Sequence, residues 1–148
     1  LILRLPGTIP AGTRVPGLVE LVDLAPTTCD LLGVPVPGWM HGRSLRPFFT
    51  DPTAPHKHAV FTHGGVERRA LERIAPLASH ADYSVKQRVL RDFPETLLRS
   101  RMVRTDRWKY ILRLNGHDEL YDLLDDPGET RNLAAHPDHR ETKVALQE

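Results

Sequence analysis

The feature that most constrains the fold is a stretch of strict alternation near the C-terminal end. Every second position of this stretch is aromatic or apolar: Trp108, Tyr110, Leu112 and Leu114. A period of two is typical of a strand that buries one face. Thr105-Asp106-Arg107 precedes the stretch and Asn115-Gly116 follows it, and both favour tight turns. We therefore predict an antiparallel meander of three strands over residues 101–104, 108–114 and 119–123.

The first half of the chain carries a strand pattern and a helix with start and stop signals. Residues 1–5 are apolar and end at a Pro-Gly pair, which predicts a strand. Asp23 is placed to cap a helix with Pro26 in its first turn, and Gly33 is placed to end it. Four side chains share one face of this helix: Leu24, Thr28, Leu31 and Leu32. Further predicted elements are a strand over 59–63 and helices over 66–75, 82–93 and 137–147. This order predicts an α/β fold that ends in a small α+β unit with an antiparallel sheet.

Composition excludes several classes of protein. No apolar run approaches the roughly 20 residues that a membrane helix needs, and the formal net charge of +1 gives no field that favours nucleic acid. Cys29 is the only cysteine, so an internal disulfide is impossible. The charge is uneven: residues 67–113 hold twelve Lys/Arg against six Asp/Glu, and residues 116–148 hold three against nine. Either these segments pack together or lie on solvated faces, or the basic segment faces an anionic substrate.

Three motif-bearing segments follow one another along the chain. The first segment is Leu1-Ile2-Leu3-Arg4-Leu5-Pro6-Gly7 with Ile9-Pro10-Ala11-Gly12. The second segment runs from Val22-Asp23-Leu24-Ala25-Pro26-Thr27-Thr28 to Gly42-Arg43-Ser44-Leu45. The third segment runs from Arg101-Met102-Val103-Arg104 through Glu119-Leu120-Tyr121-Asp122-Leu123 to Asn132-Leu133. In this order they resemble the C-terminal region of the sulfatases, within the alkaline-phosphatase-like superfamily. The stretch Phe61-Thr62-His63-Gly64-Gly65 is more similar to the bacterial sulfatase and phosphonate monoester hydrolase branch than to the short-insert arylsulfatases.

The resemblance implies a division of the chain and a missing half. Residues 1–50 would be the end of the sulfatase α/β domain, 51–100 a connecting strand and helical insert, and 101–148 the closing meander and terminal helix. We expect the true N-terminus, any export signal and the N-terminal half of the same fold to be absent from this chain.

Family members hydrolyse sulfate esters or, in some branches, phosphate or phosphonate esters. The resemblance implies a formylglycine nucleophile made within a Cys/Ser-x-Pro-x-Arg motif, and calcium or another divalent cation held by Asp and Asn oxygens. Cys29 is followed by Asp30-Leu31-Leu32, and no Ser fits the motif either. We therefore assign no catalytic and no metal-binding residue to this chain. We expect the fragment alone to bind neither cofactor and to be inactive, with an anionic small-molecule ester as the substrate of the intact enzyme.

Three residues are candidates for substrate contact. His63 precedes two glycines at a strand end, where backbone can approach a ligand closely, although a structural loop histidine fits the same pattern. Arg101 and Arg104 can hold an anion bidentately, or can pair with the acidic C-terminal segment. His56, His58 and His63 also suggest a metal cluster, but no zinc-site spacing accompanies them, and surface or structural roles are favoured.

Two alternatives to a sulfate ester hydrolase remain open at this point. One is a phosphonate or phosphate ester hydrolase of the same superfamily. The other is a non-catalytic accessory module that is expressed separately and docks on a partner. The gene upstream of Leu1 distinguishes the module from the enzyme, because only the enzyme requires an open frame that carries the nucleophile motif.

Overall fold

The computed structural model describes residues 1–70, 88 and 92–148. The chain forms two compact units, Leu1–Val60 (unit 1) and Phe61–Glu148 (unit 2). Most residues of the two helices predicted over 66–75 and 82–93 lie outside the described part of the chain. The three-part division into 1–50, 51–100 and 101–148 stays a prediction.

Unit 1 contains short helices joined by long irregular segments. A 3-10 helix at Leu21–Asp23 leads directly into helix α1, Leu24–Leu31, and a second 3-10 helix follows at Arg46–Phe49. The core of the unit is small. It consists of Leu45, Phe48 and Phe49, with three partly buried side chains packed against them: Ile9, Val19 and Ala54.

Helix α1 forms where the sequence predicts it, but the structure corrects two details. Gly33 adopts φ 67° and ends the helix as expected. The Asp23 carboxylate, however, makes no capping bond to α1. It instead accepts the Glu20 N–H in a capping box on the preceding 3-10 helix, and the Arg43 N–H from a later loop. The expected apolar face is also not the face that unit 1 buries, since Pro26 and Thr27 are buried while Leu31 and Leu32 are exposed.

Residues 1–5 do not form the predicted strand. They are exposed and have no regular secondary structure, although the Leu5 carbonyl accepts hydrogen bonds from the N–H groups of Thr8 and Ile9. A strand is defined by pairing with a neighbour, and among the described residues none pairs with this segment. The apolar pattern is therefore present without the partner that would make it a strand.

Unit 2 confirms the predicted antiparallel meander. Four strands lie in chain order in one sheet: β1 Val60–Gly64, β2 Ser100–Arg104, β3 Trp108–Arg113 and β4 Glu119–Asp122. Strands β2 and β3 pair antiparallel, with Val103 opposite Tyr110, and β3 and β4 pair antiparallel, with Tyr110 opposite Leu120. The strand predicted over 59–63 corresponds to β1.

The core of unit 2 lies between the sheet and the C-terminal segment. Tyr110, Leu120 and Leu133 are buried, and partly buried side chains pack against them: Val103, Trp108, Leu112, Ala134 and Leu146. The predicted terminal helix is present as a 3-10 turn at Pro137–His139 followed by helix α2, Arg140–Gln147. The alternating positions of β3 therefore face an apolar layer as predicted.

The basic and acidic segments of unit 2 pair with each other. Lys or Arg side chains of the 107–113 stretch contact carboxylates that follow later in the chain: Arg107 with Asp122 at 2.7 Å, Lys109 with Glu129 at 2.5 Å, and Arg113 with Glu119 at 2.6 Å. These contacts support the interpretation that the two segments pack together. In the described part of the chain, no helix combines the length and the apolar character needed to cross a bilayer.

Candidate functional site

A buried group of charged side chains in unit 1 is centred on Asp23. Its side chain is fully buried, with 0% exposure. One carboxylate oxygen accepts the Glu20 N–H at 2.8 Å, and the other accepts the Arg43 N–H at 2.8 Å and the Lys57 Nζ at 2.6 Å. Lys57 also forms an ion pair with Glu20. Three segments that are distant in sequence are thus joined at one carboxylate.

Gly42 explains how the Arg43 backbone reaches this carboxylate. A Cβ atom at position 42 would lie 2.0 Å from the Val22 carbonyl oxygen, so only glycine permits the close approach. Thr27 strengthens the same junction, because its Oγ1 donates to the Asp23 carbonyl at 2.5 Å and accepts the Leu45 N–H at 2.9 Å. The Gly-Arg-Ser-Leu motif therefore fastens its loop to the start of α1.

Electrostatics keep both members of the central pair charged. Burial raises the pKa of Asp23, but hydrogen bonds from the Lys57 ammonium and the Arg43 and Glu20 N–H groups outweigh burial and leave the pKa below its ordinary value. Burial lowers the pKa of Lys57, but its bonds to the two carboxylates outweigh burial and raise that pKa. The pair is ionised at neutral pH.

His56 lies beside this pair, but its Nε2 atom does not hydrogen-bond to either member. Its side chain is only 4% exposed, and its Nε2 atom lies 3.5 Å from an Asp23 oxygen. This Nε2 atom has no hydrogen-bond partner among the described residues. The imidazole also meets the Phe48 ring edge-on, with 4.9 Å between ring centroids.

The Asp23 group is suited to holding the fold, because its charges are paired internally. The Lys57 ammonium occupies the position at both carboxylates where a cation would bind. No group of three or more His, Cys, Asp or Glu in the described ranges is arranged to hold a metal ion.

His63 lies on β1 and is exposed, two residues before Gly65. A Cβ atom at Gly65 would lie 2.5 Å from the Leu98 carbonyl oxygen, and the residue adopts φ 83°. The close approach at this glycine is therefore made to the backbone of residues 97–98. The His56 side chain is buried beside Asp23 and His58 is exposed, and the three histidines form no metal-holding group among the described residues.

Arg101 and Arg104 both lie on β2 and are exposed. Arg101 lies opposite Leu112, and Arg104 lies opposite Lys109. Because alternate residues of a strand point to opposite faces, Arg101 belongs to the face of Val103 and Tyr110, and Arg104 to the other face. The two arginines therefore cannot hold one sulfate-sized anion together, and neither forms an ion pair within the described residues.

An open groove of about 530 Å³ lies within unit 1, and none of the three candidate residues lines it. Its walls are mainly apolar, including Leu1, Leu3, Phe48 and Phe49, and Arg14 is its one charged side chain. No carboxylate, imidazole or thiol lines it. The groove therefore lacks groups for acid–base or nucleophilic chemistry.

Comparison with known proteins decides the family. The family model for the C-terminal part of N-sulphoglucosamine sulphohydrolase matches residues 1–67. The Delta 4,5-hexuronate-2-O-sulfatase of Bacteroides thetaiotaomicron is 33% identical over 117 residues, covering 78% of this chain and 19% of that protein. Human arylsulfatase K is 31% identical over 137 residues, covering 90% of this chain and 22% of that protein. The chain is a C-terminal region of the sulfatase family.

The fold of this sulfatase region agrees with solved structures of the alkaline-phosphatase-like superfamily. The phosphonate monoester hydrolase from Silicibacter pomeroyi superposes with a TM-score of 0.63 at 25% identity, covering 97% of this chain and 26% of that one. The sulfatase region spans about a fifth of the length of the curated relatives named above.

Sequence reasoning missed the partners of Asp23. The carboxylate was interpreted as a local helix cap, whereas its side-chain partner Lys57 lies 34 positions away. No short-range pattern signals such a contact. The usable signal was the glycine of Gly42-Arg43, since a glycine outside a turn indicates close backbone approach.

Proposed function

We propose that the intact protein, of which this sulfatase region is the C-terminal part, hydrolyses sulfate esters. The observation that carries the proposal is similarity to sulfatases along 78% and 90% of the chain at 33% and 31% identity. The name of the bacterial relative favours a sulfated sugar as the ester.

The region contributes scaffold, and we assign the nucleophile and the metal to the rest of the fold. The formylglycine motif is missing from the sequence. The carboxylates of Asp23 and Glu20 do not fit a calcium site, because the Lys57 ammonium bonds to both. We therefore propose that calcium and the formylglycine belong to the N-terminal half.

We propose that three exposed residues are independent candidates for contact with the anionic substrate. A guanidinium matches the geometry of a sulfate group, which supports Arg104 and Arg101, and His63 offers a hydrogen-bond donor beside Gly64. Because the two arginines leave β2 on opposite faces, at most one of them contacts a given sulfate.

A phosphonate or phosphate monoester is the second candidate substrate. The similarity in fold to the Silicibacter pomeroyi phosphonate monoester hydrolase over 97% of this chain favours it. Both substrate classes are anionic esters and need the same kind of cationic contacts, so the region described here is compatible with either.

Hydrolysis assays test the proposal. The intact polypeptide encoded by the same gene and the purified 148-residue chain are each given nitrophenyl sulfate and a nitrophenyl phosphonate, with calcium or manganese added. We expect the intact protein to prefer the sulfate ester and the 148-residue chain to hydrolyse neither. Preference for the phosphonate supports the second candidate. Activity that copurifies with the short chain, or an upstream frame without the nucleophile motif, contradicts the proposal.

A further inference from the structure

Two imidazole rings lie close together at the turn that precedes α2. His136 stands just before the 3-10 turn Pro137–His139, and His139 ends it. The His139 N–H donates to the His136 carbonyl at 3.2 Å, which closes the turn. Side chains three positions apart eclipse each other in a 3-10 helix, and the centroids of the two rings are 5.4 Å apart.

This spacing matches that of two imidazoles that share one metal ion. A Zn²⁺–nitrogen bond is about 2.0–2.1 Å long, so the centre of a ligating imidazole ring lies about 3.2 Å from the ion. Two such rings at a tetrahedral angle have centres about 5.2 Å apart, close to the 5.4 Å between these two rings. Imidazole suits Zn²⁺, Ni²⁺ and Cu²⁺, whereas Ca²⁺ takes oxygen ligands.

Neighbouring groups hold both rings in position. The His139 ring contacts the indole of Trp108 on β3, with 5.5 Å between the ring centroids. His136 Nδ1 faces Asp138: it accepts the Asp138 N–H at 3.4 Å and lies 3.8 Å from the Asp138 carboxylate. A cation at Nε2 would leave the ring proton on Nδ1, where this carboxylate is close enough to accept it. A carboxylate in this place typically orients a metal-bound imidazole.

Exposure and local charge also favour a cation at this pair. The His136 side chain is 52% exposed, and the Asp138 carboxylate beside it adds a negative charge. Of the nearby cations, Arg107 lies over the same indole ring but pairs with Asp122 at 2.7 Å, and Arg140 is exposed to solvent. No third His, Cys, Asp or Glu joins the pair in the part of the chain that the structure describes, so water or an external ligand would fill the remaining coordination positions.

We propose that His136 and His139 form a surface site for a divalent cation of the class that prefers imidazole: Zn²⁺, Ni²⁺ or Cu²⁺. A bound ion would join the two ends of the turn and so fasten the start of α2, whose His139 already contacts Trp108 on the sheet. The site is separate from the calcium assigned above to the N-terminal half. It does not depend on the proposed function, because every contact used lies within unit 2.

Quenching of tryptophan fluorescence by Ni²⁺ tests the proposal on the 148-residue chain. The chain has two tryptophans, and Trp39 is 73% exposed, so Trp39→Phe should spare the fold and leave Trp108 as the only reporter. We expect Ni²⁺ to quench this emission, and added Zn²⁺ but not Ca²⁺ to restore it. In the same background, His136→Gln and His139→Gln should each raise the Ni²⁺ concentration for half-quenching by roughly tenfold or more, since even the loss of a group that only orients a ligand typically has this effect.

Two exposed histidines outside the pair provide the control. His58→Gln and His117→Gln should leave the half-quenching concentration unchanged. An equal loss in all four variants would mean weak binding spread over many histidines and overturns the proposal. So does restoration by Ca²⁺, or quenching that persists in both His136→Gln and His139→Gln.

Urea unfolding gives an independent measurement and shows whether each variant is folded without metal. An ion that binds only the folded state raises the unfolding midpoint. We expect Zn²⁺ to raise the midpoint of unit 2 in the Trp39→Phe chain and to have no such effect once His136→Gln is added. A midpoint that Zn²⁺ shifts equally in both chains, or in neither, contradicts the proposal.

Discussion

At the scale of single residues, Asp23 determines how unit 1 holds together. Its carboxylate joins residues 20, 43 and 57, and the Lys57 side chain that it pairs with is only 12% exposed. Removing one member of a buried pair leaves the other charge without compensation, which costs about 3–5 kcal/mol. Such a loss is a large fraction of the stability of a small domain.

We therefore expect Asp23→Asn to unfold or strongly loosen unit 1. Hydrogen exchange of the α1 amides measures the effect, with Asp51→Asn as the control. Asp51 is exposed and its carboxylate accepts hydrogen bonds from Thr53 nearby, so its substitution should leave α1 unchanged. Equal α1 protection in the two variants would show that the buried carboxylate does not hold the unit.

The same residue predicts how unit 1 responds to acid. The folded state holds the pKa of Asp23 below its ordinary value of about 3.9, so the stabilisation is present above that pH and is lost as pH falls through the folded pKa. We expect α1 protection to stay constant from neutral pH down to about 5 and to fall below about 4. Exchange measured along a pH series, corrected for the intrinsic rate, checks this. Loss of protection that begins near neutral pH would contradict it.

At the scale of elements, the contact between β3 and α2 depends on the Tyr110 hydroxyl. Tyr110 is 2% exposed, donates to Asp118 at 2.7 Å and accepts from Gln147 Nε2 at 2.7 Å. Burial, and then the Asp118 carboxylate, raise the pKa of Tyr110 to about 12. The hydroxyl therefore stays protonated at neutral pH and fastens the last turn of the helix to the sheet.

Removing this hydroxyl should release α2 selectively. We expect Tyr110→Phe to destabilise unit 2 by about 1 kcal/mol, because two part-buried hydrogen bonds are lost, one to Asp118 and one to the exposed Gln147. Tyr121→Phe is the matched control, since that hydroxyl donates to Glu119 within its own strand. Urea unfolding gives the free energies, and exchange at α2 gives the location. If the two variants loosen α2 equally, the Tyr110 bond is not what fastens it.

Alkaline pH provides a second measure of the same contact. Because the folded pKa of Tyr110 lies above the ordinary value of about 10, its stabilisation is complete below pH 10 and disappears as pH rises through about 12. The difference in unfolding free energy between wild type and Tyr110→Phe should therefore narrow above pH 10. A constant difference across this range would contradict the assignment.

The elements differ in how far their sequence predicts them. Strand β3 was predictable because its period, its flanking turns and its partners all lie within 25 residues. Residues 1–5 carry an equally apolar pattern, yet form no strand, because a strand requires a neighbour and none of the described residues supplies one. The prediction that Leu31 and Leu32 lie on a buried helix face was wrong for a related reason, because none of the described residues covers these two side chains.

For the candidate site too, the sequence predicts local features but not contacts between distant residues. Motifs that resemble those of sulfatases predicted the family from the sequence. One of them, Gly42-Arg43, fastens a loop to α1 in the structure. Once the bounds of β2 are known, strand alternation predicts that Arg101 and Arg104 lie on opposite faces of the sheet. The Asp23–Lys57 contact does not follow from sequence, because a tertiary contact across 34 positions has no local pattern.

At the scale of the whole molecule, the two units differ in completeness. Unit 2 has a sheet, a covering helix and a buried core of its own, whereas unit 1 has a buried cluster of only three residues and carries most of the large apolar side chains that are exposed among the described residues. A piece cut from a larger fold should show this contrast, since the surface that faced the rest of the fold becomes exposed. The central claim is that unit 1 is completed by the remainder of a sulfatase.

Hydrogen exchange on the purified 148-residue chain tests this claim most directly. Leu3 lies in a segment without regular structure, Leu31 is the last residue of α1, and Tyr110 lies in the middle of β3. We predict fast exchange at Leu3, intermediate exchange at Leu31, and protection at Tyr110 that approaches the global stability of unit 2. Protection at Leu3 and Leu31 equal to that at Tyr110 would show that unit 1 folds fully without the rest of the protein and would contradict the account.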